Sequence, residues 1–201
     1  MKSKLALILA LLQLAVVFFS WLVTVASPQL GTRSLLSGEG IRWFMGCFAD
    51  NLAHPLLVWL VLIAIACGAL FYSTLLETIM KFVFRQPLMF RQRFGLRVVA
   101  IELVIFVIVI LLLTAVPQAI LLSASGSLFP SSFSSSCIPI LAFIIVFLSV
   151  SYGLASGTLH TVTDVYYSLT TGLKAHADIL LIYILAMQLV FSLAFTIRIT
   201  L

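Results

Sequence analysis

Acidic side chains are scarce in this chain: six Asp and Glu stand against eleven Lys and Arg in 201 residues. Between Glu102 and Asp164 there is no charged residue of either sign. With 8% charged and 63% hydrophobic residues, the chain lacks the polar surface that a soluble globule of this length requires. A polytopic membrane protein remains, with the lipid bilayer as its first partner. The basic excess is dispersed among apolar runs and forms no stripe that could track a phosphate backbone, so nucleic acid is not an expected partner. Cys47, Cys67 and Cys137 stand alone, without C-x-x-C spacing, which leaves neither a zinc site nor a disulfide framework. No cofactor is expected.

Apolar stretches predict an all-α fold, a single transmembrane domain with about five crossings at residues 5–26, 55–80, 98–122, 137–155 and 179–198. The first is too long for a signal-peptide core, and at about 1.5 Å per residue it covers a hydrocarbon layer of about 30 Å. Lys2 and Lys4 precede it, and Lys81, Arg85, Arg91, Arg93 and Arg97 follow the second span without an acid among them. The positive-inside rule therefore places the amino end and residues 82–97 in the cytoplasm and residues 123–136 outside an inner membrane. Such a basic loop can hold anionic lipid, but orientation alone accounts for its charges. Glu102 is expected near the headgroups or facing another helix, because an ionised carboxylate is costly at the bilayer centre. Pro117 should kink the third span, and the serine-rich stretch after it suits an external loop.

Residues 27–54 predict an interfacial segment. Ser37 can cap a helix whose apolar stripe is Ile41, Phe44, Met45 and Phe48, with Glu39 at the favourable end of its dipole.

The segment 151–178, SYGLASGTLHTVTDVYYSLTTGLKAHAD, is polar, glycine-containing and set between apolar runs. It fits either a re-entrant hairpin near 151–173 that lines a substrate or ion path, or a loop at the cytoplasmic surface. On the first reading Gly153, Ser156, Gly157, Thr161, Thr163 and Asp164 form the path, and Asp164 is the acid on which transport depends. On the second, Asp164 is a loop carboxylate near Lys174. An intramembrane protease would need Ser156 and His160 on one helix face, yet no third orienting group is legible, so an enzyme is not expected. A metal site at His160, Asp164 and His176 lacks a fourth ligand.

The stretch SLLSGEGIRWFMGCFADNLAHPLLVW resembles the p-aminobenzoyl-glutamate transporter (AbgT) family at its approach to the second span, through Leu35, Leu36, Gly38, Glu39, Gly40, Ile41, Arg42, Trp43, Asn51, Leu52, Pro55 and Leu56. A weaker resemblance continues at Gly153, Thr163 and Asp164, with Gly157 where the family has Asn, and with Gln118, Ala119, Ile120 and Leu121 where it has an Asp-containing motif. The resemblance implies transmembrane transport of p-aminobenzoyl-glutamate-like organic anions, with a proton or sodium ion as coupling partner. It covers the first half of the family fold only. A half-length transporter acting as a homo-oligomer or with a complementary half-transporter subunit is therefore expected; the alternative is a non-transporting membrane scaffold or partner subunit.

Overall fold

A computed structural model describes residues 2–114 and 132–199. Among these the protein is all-helical: α1 (Lys2–Ala26), α2 (Gly38–Gly46), α3 (Phe48–Leu52), α4 (Pro55–Tyr72), α5 (Leu75–Val83), α6 (Phe90–Thr114), α7 (Ser132–Ser156) and α8 (Val162–Ile197). Five of them, α1, α4, α6, α7 and α8, are long and apolar enough to cross a membrane. The chain is a polytopic membrane protein. Pro117 and most of the serine-rich stretch lie outside the described residues.

Helix limits differ from the sequence expectation most clearly in three places. The second span stops at Tyr72 instead of continuing to residue 80, because Ser73 turns its hydroxyl to the backbone N–H of Leu75 (3.4 Å) and Thr74 adopts a left-handed conformation at φ +60°. A side chain that satisfies the backbone locally competes with the helix. The third span begins at Phe90, so Arg91, Arg93 and Arg97 belong to a helix rather than to a loop. The last begins at Val162, so the polar stretch 151–178 is helical except at residues 157–161.

Contacts divide the chain into two units, residues 1–58 with 176–201, and residues 59–175. In the first unit, Lys2 pairs with Asp178 at 2.7 Å, Gln13 donates to Ser192 at 2.8 Å, and the backbone N–H of Arg33, beyond the end of α1, donates to the Thr196 carbonyl at 3.1 Å. These contacts advance in the same direction along both helices, so α1 and α8 are parallel, as a five-crossing path requires. Ser20 accepts from the Leu35 N–H and fixes the chain where it leaves α1.

The second unit is built on α6 against α7. Leu75, Val99, Ile144, Leu148 and Tyr152 form its core, and Phe106 meets Phe147 edge-on at 5.3 Å. Glu102 lies on α6 between Val99 and Phe106, and one of its carboxylate oxygens is buried without a hydrogen-bond partner among the described residues. In lipid, apolar side chains gain little by turning inward, so close packing selects small residues instead. Ala64 and Gly68 on α4 meet Ser168 and Gly172 on α8, two small-xxx-small pairs that bring the backbones together: a Cβ at Gly68 would lie 2.6 Å from the Gly172 Cα.

Candidate functional site

The turn between α7 and α8 gathers the residues expected to form a path. Gly157, at φ +76°, closes α7 in the left-handed conformation that glycine adopts without a Cβ penalty, and the N–H groups of Thr158 and Leu159 return to the Gly153 carbonyl at 2.9 and 3.0 Å. Leu159 folds back over Gly153, where a Cβ would fall 2.6 Å from the leucine Cγ. Thr158 Oγ1 donates to the Ser73 carbonyl at 3.2 Å, which ties this turn to the break between α4 and α5. Two interruptions of long helices therefore meet.

Asp164 has a local task. Its Oδ2 accepts from the backbone N–H groups of His160 and Thr161 at 3.0 and 2.9 Å, while its own N–H donates to Thr161 Oγ1 at 3.2 Å. This is a reciprocal cap on the first turn of α8. Thr163 is exposed beside it, and Lys174 lies over the Tyr167 ring at 5.7 Å. Ser156 is buried, with its hydroxyl engaged by the Gly153 carbonyl and Thr158 Oγ1. The helix ends at Ser156, so the premise that placed His160 one turn along the same face does not hold. Gly157 also explains a departure from the resemblance: Asn, the residue expected there, is the side chain that best tolerates a left-handed backbone. Replacing Gly157 with Ala should destabilise the protein by about 1–2 kcal/mol, with Asn costing less. Unfolding of the purified variants in detergent measures this, and equal losses for Ala and Asn would contradict it.

The motif before α4 builds a different site, in the first unit. Ser37 caps α2 through the Gly40 N–H at 3.0 Å, as expected, and Gly38 and Glu39 open that helix. Gly40 is buried, Arg42 is exposed, and Pro55 begins α4, where its missing N–H costs nothing. Trp43 stacks on Phe195 of α8 with centroids 4.4 Å apart, and the Arg33 guanidinium lies 5.5 Å over the same ring. Arg33 also pairs with Glu39 at 3.3 Å. Arg33, Trp43 and Phe195 border a cleft of about 550 Å³, together with Asp50, Asn51, Phe191 and Arg198. Asn51 is only 6% exposed, and its amide nitrogen is buried without a hydrogen-bond partner among the described residues. Arg198 stands at the exposed rim, at φ +63°, where the N–H groups of Arg198 and Ile199 close α8 onto the carbonyls of Phe195 and Ala194. That position normally takes glycine.

Sequence reasoning singled out Trp43 and Asn51 but missed Arg33, Phe195 and Arg198. The available signal was the Phe191 and Phe195 pair, one turn apart, with the basic Arg198 at the end of the last span.

Interrupted helices in one unit, tied by the Thr158 hydroxyl to the Ser73 carbonyl, and a cationic, aromatic cleft in the other are features that membrane transporters also use. Residues 84–197, more than half of the chain, match the AbgT putative transporter family. The chain belongs to that family. The match takes in the turn 153–164 and the α8 wall of the cleft, and it begins after the motif at 35–56. Comparison with curated proteins and with solved structures gave no significant match.

Proposed function

We propose that this protein moves organic anions of the p-aminobenzoyl-glutamate type across the membrane, and that the cleft bordered by Trp43, Asn51 and Arg198 holds the anion. The observation that carries the reading is the buried Asn51 amide without a partner. An unmet buried donor costs about 1–3 kcal/mol, which a ligand carbonyl or carboxylate would recover. The volume suits a small organic molecule, the two guanidinium groups suit a carboxylate, and the aromatic wall suits a flat body. Asp50 at the rim disfavours anions that approach from its side.

Uptake of p-aminobenzoyl-glutamate into vesicles reconstituted with the purified protein tests the proposal. Arg198→Gly relieves a left-handed arginine, so it should keep or raise stability while it raises the half-saturation concentration about tenfold to a hundredfold. Asn51→Leu should fold and take up less substrate. Unchanged half-saturation in both variants would remove the cleft from the pathway. Absence of uptake by the wild-type protein would instead favour the scaffold reading. Coupling to a proton or sodium ion through Asp164, beside Thr161 and Thr163, belongs to the same proposal. Asp164→Asn keeps an acceptor for the cap, so loss of uptake at normal abundance would assign the coupling to the charge, and retained uptake would leave Asp164 as a cap alone.

A further inference from the structure

A second cleft, of about 870 Å³, opens where α5 passes to α6. Arg85, Arg93 and Arg97 line it against the apolar Phe82, Val83 and Leu96. No acid occurs between Glu77 and Glu102, and Glu77 is occupied by Lys81 at 2.6 Å. The three cleft arginines make no ion pair among the described residues.

Arg85 carries a second, independent sign. The helix α5 closes with the N–H of Arg85 on the Phe82 carbonyl (3.1 Å) and the N–H of Gln86 on the Lys81 carbonyl (2.9 Å), which forces Arg85 to φ +54°. α7 closes in the left-handed conformation with Gly157, the residue that takes it without strain. Arginine there is less stable than glycine, and a strained side chain that persists points to use of its charge.

If these arginines served orientation alone, lysine would do as well and no pocket would be needed. A guanidinium offers paired donors that match the oxygens of a phosphate, which lysine does not. The apolar wall continues into exposed Phe84 and Phe90, 69% and 84% accessible, which a soluble anion would leave uncovered and an acyl chain would cover.

We propose that this cleft binds an anionic phospholipid of the surrounding bilayer, with the phosphate held by Arg85, Arg93 and Arg97 and an acyl chain along Phe82, Val83 and Leu96. The site stands apart from the transport reading and needs no flux for its test. The full chain, purified in zwitterionic detergent, is titrated with phosphatidylglycerol or phosphatidylcholine, and bound lipid is counted by native mass spectrometry. Phosphatidylglycerol should be retained about tenfold more strongly. Arg85→Gly should unfold at a higher temperature than wild type without lipid, yet lose much of that preference. Arg93→Lys with Arg97→Lys keeps the charge and should still lose it about tenfold. Equal retention of the two lipids would overturn the proposal, as would a preference that survives both variants. Displacement of phosphatidylglycerol by millimolar inorganic phosphate would give the cleft to a soluble anion and overturn the lipid assignment.

Discussion

Valine in place of Gly172 should remove most of the folded protein from the membrane. A Cβ at Gly172 meets the Ala64 carbonyl and would lie 2.7 Å from the Gly68 nitrogen, so the obstacle is backbone on the facing helix and no side chain can swing away. Overpacking of this kind costs about 3 kcal/mol or more even for alanine, and a loss of 1–2 kcal/mol already changes abundance several-fold. Gly46 supplies the control, because nothing lies within 4 Å of a Cβ built there. Gly46→Ala should stay within about 0.5 kcal/mol of wild type. Immunoblots of membranes and unfolding in detergent read both variants; a Gly172→Ala protein as stable as Gly46→Ala would show that the helices can part freely.

Tyr152 should be the most sensitive side chain of the second unit. It is fully buried, its ring lies 3.0 Å from where a Cβ on Gly95 would sit, and its hydroxyl is 2.6 Å from Thr78 Oγ1. Thr78 spends its own proton on the Thr74 carbonyl at 3.1 Å, so Tyr152 is the donor in the pair. Tyr152→Ala empties the centre of the core and should cost about 3–5 kcal/mol, whereas Tyr152→Phe loses one hydrogen bond, about 1 kcal/mol. The ratio is the test: if Phe cost as much as Ala, the hydroxyl rather than the ring would be holding α7 against α5 and α6.

The helical, membrane-spanning character was legible because it rests on composition and run length, which need no tertiary contact. The cap at Ser37 was legible for the same reason. The first turn of α8 was written locally too, as Thr161-Val-Thr-Asp164, but the length of the uncharged tract drew attention to the acid and away from its spacing to Thr161. Gly68 and Gly172 carry the small-xxx-small spacing in plain view. What the sequence does not encode locally is that the two pairs face each other, since that depends on where intervening helices turn. Asn51 was singled out by resemblance, while its burial beside Arg198 arises only when α3 and the far end of α8 come together.

The bond from Gln13 to Ser192 joins residues 179 positions apart. At synthesis rates of about 5–20 residues per second, α1 waits in the bilayer for roughly 10–40 s before its partner has emerged. Residues 59–175 are contiguous and can assemble during that interval, so the discontinuous unit is completed last. Until then the Gln13 amide has only lipid, translocation machinery or another nascent chain to answer it. Capture of α1 by the last helix of a second copy is the error to which this order of assembly is most open.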